Sequence, residues 1–338
     1  MTAGGETASP RKDVSSSPDD PIVVVPSFNR ADLLAELLGS LRRQTLAHSV
    51  LVVDNGSTDG TGAMLAARCP EVHVLELPEN IGFGRAINRG VGACAADTLV
   101  LLNNDVVCHR PDFLERLVAG LDPARGVVMA GGVLLDAEDS DRIDTAGMEF
   151  DRTLLAYDYL HGAPAAVLER QLPDPLGPCA GAAAFDRAAF LAVGGFDESY
   201  FAYLEDVDLV ARLLVAGGRC RLVRDARALH HHSSTLGSGS KRKNELMGWS
   251  RGYTIAKYRL HRRPRLLARA LVAEAAIAAG QLLVDRTAVG LLARMRGFRV
   301  GLRSPPASLP DPTGPTRPVS TTAALRQRLR RRALTPGA

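Results

Sequence analysis

The chain has 338 residues, 46% of them hydrophobic and 23% charged, with a formal net charge of +4. That is enough apolar material for one large or two smaller cores and excludes a disordered chain, while the longest contiguous apolar stretches fall short of the roughly 20 residues that span a bilayer, so no transmembrane helix is predicted. Five cysteines, odd in number and never in a C-x-x-C pair, exclude a disulfide framework and a zinc site and point to a reducing, cytoplasmic setting.

Residues 1–20 are rich in Ser, Gly, Pro and charge and lack the apolar stretch of a secretory signal, so a disordered tail is expected there. From Pro21 the pattern is that of an α/β domain. A strand at Ile22 to Val25 precedes a helical period through Leu33, Leu34, Leu37, Leu38 and Leu41, and a second strand, Val50 to Val53, ends at Asp54 and opens into DNGSTDGT. Met64, Leu65 and Ala67 mark another helix, and strands at Val72 to Leu75 and Leu99 to Leu102 alternate with a helix at Ala86 to Ala95. This βαβ spacing predicts a mostly parallel central sheet flanked by helices. Ligands gather at the carboxyl ends of such strands, which here carry Ser27 and Asn29, Asp54 and Asn55, and Asn103 to Asp105.

Beyond about residue 130 the runs are short and broken by Gly, Pro and Asp as far as Pro178. A helix at Val207 to Val215 then closes with Gly217 and Gly218. The domain thus divides into 21–130 and 131–245. A basic helical extension is predicted over 246–303, in which Lys257 to Arg269 carries six Lys or Arg and no acid. Such a run suits anionic lipid headgroups and equally a solvated helix face. The proline-rich residues 304–338 are expected to form a second disordered tail.

Several segments bear chemistry. In VVDNGSTDGT, Val52 to Thr61, a strand-end carboxylate followed by Gly, Ser and Thr can hydrogen-bond a base and ribose, or Asp54 can simply cap a helix. Gly56 and Thr58 occupy alternate positions that a calcium loop gives to ligands, so that reading fails. NIGFGRAINRG, Asn80 to Gly90, has Ile87 where the third glycine of a dinucleotide fingerprint belongs, and leaves Arg85 to meet a phosphate or stay at the surface. LVLLNNDVV, Leu99 to Val107, ends an apolar strand in Asn103, Asn104 and Asp105. A single carboxylate there suffices for Mg2+ or Mn2+ on a diphosphate, and a plain turn is the alternative. YFAYLEDVDLVARL, Tyr200 to Leu213, puts Glu205, Asp206 and Asp208 at a helix front beside Tyr200, Phe201 and Tyr203, which suits a general base in a sugar cleft as well as plain capping. His230, His231 and His232 offer a late metal or phosphate ligand.

In the order PSFNR (Pro26 to Arg30), VDNGSTDGT, N-x-G-F-G-x-A-x-N-x-G, LLNNDV and G-G-F-D-E-x-Y-F-x-Y-x-E-D-V-D-L, the chain resembles family 2 glycosyltransferases of the GT-A fold over about Pro21 to Tyr258. The similarity is greatest to the bacterial rhamnosyltransferase-like branch that builds cell-surface polysaccharide. The resemblance implies a nucleotide-sugar-binding half (21–130) and an acceptor-binding half (131–245). It implies that Pro26, Ser27, Asn29, Arg30, Asp54, Asn55 and Ser57 hold the nucleoside, with Asp54 on the base, and that Asn80, Gly82 and Arg85 line the diphosphate side. LLNNDV matches the family's D-x-D motif with Asn103 in place of the first Asp, which leaves Asp105 on the divalent cation beside Asn104. Asp206 matches the general base, with Glu205 and Asp208 orienting acceptor or base. His231 best fits the late metal ligand, and His230 and His232 are close rivals. Cys179, Ala180 and Gly181 match an acceptor-site loop, and Gly194, Gly195, Phe196 and Asp197 a turn beside it, unless those small residues serve tight packing.

The implied reaction is a single inverting displacement from a dTDP- or UDP-linked donor, rhamnosyl-like or galactofuranosyl, onto a glycan or lipid-linked hydroxyl. No nucleic-acid partner is expected, and 257–303 gives a route to peripheral contact with the inner face of the membrane. An inactive nucleotide-sugar-binding protein is the rival that the missing Asp favours. A nucleotidyltransferase should show a Gly- and Lys-rich opening that Pro26 to Arg30 does not supply.

Overall fold

The computed structural model describes residues 20–231 and 240–311. The expectations for residues 1–19, for His232 and for 312–338 lie outside the described residues. Strand β1 (Ile22–Ser27) is apolar along its length and leads into α1 (Ala31–Leu41), whose Leu33, Leu34, Leu37, Leu38 and Leu41 form the buried stripe read from the sequence. The alternation continues through β2 (Ser49–Asp54), α2 (Thr61–Arg68), β3 (His73–Glu76), α3 (Phe83–Gly92) and β4 (Thr98–Leu102). Next come β5 (Val106–Val107), α4 (Phe113–Ala119), β6 (Val127–Asp136), β7 (Ile143–Thr145), β8 (Met148–Phe150) and β9 (Ala156–Asp158). The second half closes with β10 (Ala182–Asp186), α5 (Arg187–Ala192), α6 (Glu205–Val215) and β11 (Arg219–His230). The C-terminal helices are α7 (Lys241–Lys257), α8 (Pro264–Leu283) and α9 (Val289–Arg303).

The main sheet has the order β3-β2-β1-β4-β10-β6-β11-β5, with β7 on β6, and β8 pairs with β9 apart from it. Its first four strands are parallel, as the βαβ pattern predicts. The sheet as a whole is mixed, because β10 inserts antiparallel between β4 and β6. Successive strand residues point to opposite faces, so Ile22 and Val24 enter one core while Val23 and Val25 enter the other. The carboxyl ends of β1, β2 and β4 therefore converge on one edge between the two cores.

The C-terminal helices differ from the expected extension in three ways. The boundary at residue 246 falls inside α7, whose Tyr253 and Ile255 belong to the main core. Helices α7 and α9 touch backbone to backbone: a Cβ on Gly252 would run into the carbonyl oxygen of Arg294, and one on Gly297 into that of Trp249. Residues 304–311, expected in the tail, instead return along α7. The Ala307 N–H donates to the Lys257 carbonyl (3.1 Å), Ser304 Oγ donates to Tyr253 Oη (2.9 Å), and Ala307 and Leu309 pack on the core.

The expectation of no membrane-length helix is also corrected, since α8, at 20 residues, is long and apolar enough by length and composition to cross one. Contiguous apolar runs miss it because Arg269, Glu274 and Gln281 interrupt the stretch. Glu274 is buried and held by Arg251 Nε (2.5 Å) and Arg294 Nε (2.6 Å), which docks α8 onto protein. Burial alone raises the Glu274 carboxyl, and the two guanidinium groups outweigh it and hold it below its ordinary value.

Gly252→Leu is expected to separate α7 from α9 and cost about 3 kcal/mol or more, because backbone has nowhere to move. Thermal unfolding of the purified variant, read as a fall in Tm of several degrees, checks it.

Candidate active site

The strand-end residues read from the sequence assemble into one hydrogen-bonded rim. Ser57 Oγ accepts from the Asn29 N–H (2.8 Å), Asn29 Oδ1 from the Thr58 N–H (2.9 Å), and Asp54 Oδ1 from the Ser57 N–H (3.0 Å). Asn55 spans the gap to the next loop: its Nδ2 donates to Asn80 Oδ1 (3.1 Å) and its Oδ1 accepts from the Ile81 N–H (2.9 Å). Asn104 Nδ2 reaches Ser27 Oγ (3.3 Å) and the Asn29 carbonyl (3.4 Å), which joins the β4 end to the β1 end beside Pro26. Asn29 and Arg30 lie in the left-handed region, φ 59° and 61°, the kind of local strain that collects at ligand sites. Arg30 pairs with Asp32 (3.2 Å), and the nearby Asp105 also reinforces its charge. Arg85 is directed elsewhere, donating to the Glu198 carbonyl (2.8 Å) and pairing with its carboxylate (3.8 Å).

The second corner centres on Asp105, which is buried after β4. His230, at the end of β11, places Nε2 3.2 Å from Asp105 Oδ1 and Nδ1 2.6 Å from Asp144 Oδ2. Burial opposes the charged imidazole, but Asp105 and Asp144 outweigh it and carry the pKa up to about 10. His231, the expected ligand, turns its ring to Glu36 (3.5 Å), and only its backbone N–H meets the Asp105 carbonyl (2.9 Å). The reason is strand alternation: adjacent residues cannot face the same side. The choice among adjacent histidines thus shifts to His230. Asp144 was missed, for IDTAG has no motif character.

The third corner is the head of α6. Tyr203 and Leu204, neither of them glycine, adopt φ of 69° and 68° just before Glu205. This turn is clamped from both sides. The Phe83 N–H donates to the Phe201 carbonyl (2.9 Å), Ser250 Oγ donates to the Ala202 carbonyl (3.1 Å), and Gly82, at φ 96°, leaves no room for a Cβ against Phe201. Glu205 is buried and Asp206 half-buried. Burial pushes both carboxyls up, Glu205 further through the charge of Asp206, and Asp206 through that of Asp158.

Asp208, expected to orient acceptor or base, is corrected. Its carboxylate is bound by Lys257 Nζ, by Arg212 Nε (2.8 Å) and by Tyr258 Oη (3.0 Å). Two residues past Asp206 is about 200° around the helix, which carries Asp208 to the opposite face, where it anchors α7. Lys257 Nζ also donates to Asp197 Oδ2 (2.7 Å), and Asn88 Nδ2 binds the Phe196 carbonyl (2.9 Å), so the Gly194 to Asp197 turn serves packing.

Residues 179–181 join the corners. The Asn103 N–H donates to the Gly181 carbonyl (3.2 Å). The Cys179 thiol, pushed up by burial, also feels the carboxylates of Asp158, Asp206 and Asp144.

A group whose protonated form the fold prefers binds more protons folded than unfolded, so its contribution to stability falls as pH rises between the two pKa values. Glu205→Gln is therefore expected to raise Tm at pH 8 and to narrow that gain at mildly acidic pH, measured by thermal unfolding across pH.

Comparison with protein families matches residues 22–190 to Glycosyl transferase family 2. An N-acetylglucosaminyl-diphospho-decaprenol L-rhamnosyltransferase of Mycobacterium tuberculosis is 33% identical over 246 residues, covering 64% of this chain and 77% of its own. A pre-mycofactocin glycosyltransferase of the same organism is 32% identical over 249 residues, covering 70% and 48%. Among solved structures, a mannosyltransferase of Pyrobaculum calidifontis in complex with GDP-Man and Mn2+ superposes with a TM-score of 0.51 at 19% identity, covering 96% of this chain and 84% of that one.

Proposed function

Because the chain belongs to glycosyl transferase family 2 and is a glycosyltransferase of GT-A fold, we propose that it moves a sugar from a nucleoside diphosphate onto a hydroxyl of a lipid-linked glycan acceptor, with inversion. The observation that carries the reading is the family match over residues 22–190 together with the hydrogen-bonded rim that Asn29, Asp54, Asn55 and Ser57 form at the strand ends.

In this reading Asp54, Asn55 and the 27–30 turn hold the nucleoside. Asp206 takes the proton of the acceptor hydroxyl as that oxygen attacks the anomeric carbon and the diphosphate leaves from the opposite face. Its raised pKa matches a base that must gain a proton near neutrality. Glu205 stays buried behind it, its carboxyl held toward the neutral form by burial and by the charge of Asp206. A rhamnosyl donor finds support in the mycobacterial relative, whose name gives L-rhamnosyl transfer to a diphospho-decaprenol acceptor.

A divalent cation fits the second corner in part. Asp105 would supply one carboxylate, and His230 one imidazole once the cation displaces its Nε2 proton; no closed group of three or more His, Cys, Asp or Glu ligands forms among the described residues, so diphosphate oxygens and water would complete the shell. When bound, Mg2+ or Mn2+ there offsets charge on the leaving diphosphate.

The test offers purified protein a panel of nucleotide sugars, dTDP-rhamnose and UDP-galactofuranose included, with a lipid-linked acceptor, and reads the anomeric configuration of the product by NMR. Inversion is expected. A product with retained configuration, or hydrolysis alone with every donor and acceptor, overturns the reading.

A further inference from the structure

The surface of the C-terminal helices is unlike the rest of the molecule. Among the described residues thirteen large hydrophobic side chains are exposed, and ten of them lie between Leu271 and Leu302, at 43% to 80% exposure. Leu271, Val272 and Leu283 lie along the outer side of α8, Val284 leads into its turn with α9, and Leu292 and Met295 continue on α9. Exposed apolar side chains are ordinarily scattered singly, and their concentration on two consecutive helices marks an interaction surface.

Charge surrounds this patch with one sign. Arg262, Arg265 and Arg269 are exposed at the start of α8, and Arg296, Arg299 and Arg303 toward the end of α9. Residues 257–303 hold eleven Lys or Arg against two acids, and one of those acids, Glu274, is buried between Arg251 and Arg294. Residues 312–338 add six arginines and no acid to the sequence.

We infer that the α8–α9 face is a peripheral docking surface for an anionic phospholipid bilayer, its apolar side chains entering the acyl boundary and its arginines meeting the headgroups. Neither half suffices alone: lasting attachment to a bilayer takes two signals, and here they are a hydrophobic patch and a polybasic rim. A nucleic acid would satisfy the arginines only. The ion-paired Glu274 keeps α8 on the protein surface, which separates docking from spanning. The placement also meets the proposed chemistry. Leu155 and Tyr157 pack on Ala273 and Ile277 of α8, and Asp158, next along β9, lies beside Asp206. If the acceptor is lipid-linked, as proposed above, docking holds the enzyme at the bilayer that presents it; docking itself needs no substrate, so the two readings fail separately.

The experiment is flotation of the full chain, without substrate, on phosphatidylcholine vesicles with and without phosphatidylglycerol, at low and high salt. Binding is expected only where phosphatidylglycerol is present and is weakened by salt. The double variant Leu283→Asp/Leu292→Asp and the charge variant Arg265→Glu/Arg299→Glu should each lower partitioning by about tenfold or more with Tm unchanged, because all four side chains are exposed. Equal binding to both vesicle types, no binding to either, or undiminished binding of the variants overturns the inference. So does a dimer in solution that Leu283→Asp/Leu292→Asp dissociates, since a second copy would then own the patch.

Discussion

Asp206→Asn is expected to lower kcat for sugar transfer by about 10²- to 10⁴-fold while donor affinity stays near that of the parent enzyme. The amide keeps the shape of the carboxylate and its contact with the Val207 N–H, 2.8 Å in the structure, but it has no lone pair basic enough to receive the hydroxyl proton. The proposed nucleoside contacts sit on β1, β2 and the turns that follow them, so nucleotide binding by calorimetry should be preserved. The rate of the parent enzyme should also fall on acidification through a midpoint above the ordinary aspartate range, since burial and Asp158 raise this carboxyl, and the base works only when ionised. A variant that turns over at the parent rate removes Asp206 from the mechanism.

Asp105→Ala is expected to weaken divalent-cation-dependent binding of the nucleoside diphosphate by about 100-fold or more, since it removes the carboxylate 3.2 Å from His230 Nε2, and even outer-shell partners of a metal typically contribute 10–100-fold. His230→Ala should weaken it in the same direction. His231→Ala should leave it nearly unchanged, because that ring lies against Glu36 on the other side of the strand. Titrating nucleotide into each variant with and without Mn2+ separates the cases. Equal losses for His230→Ala and His231→Ala would mean that the corner is not the cation site.

Much of this was readable in the sequence where the signal is local. The strands of the first half are short apolar runs between amphipathic helices, and their polar ends, Ser27, Asp54 and Asn104, meet where strand ends in a parallel sheet must meet. Long-range decisions were not readable. Nothing in AAAFD says that β10 will insert antiparallel between β4 and β6. His230 and His231 are neighbours with the same chemistry, and only the fold decides that His230 faces Asp105 while His231 turns to Glu36. Asp208 shares its motif with Asp206, yet helical geometry turns it to Lys257. Arg85, read as a phosphate contact, is held by Glu198, a residue distant in sequence. Asp144 and Asp158 carry no local signal and acquire meaning only through the fold.

The contact of Lys257 with Asp208 joins α6, which carries the proposed base, to α7, on which α9 packs. Backbone packing between α7 and α9 leaves that path without a hinge. If the inferred docking holds, the protein acts as a ruler: with its C-terminal face on a plane, the height of Asp206 above that plane is set by the fold, and reach is expected to select acceptors. A hydroxyl presented one sugar too near or too far from its lipid anchor would miss the cleft, however well its ring matched.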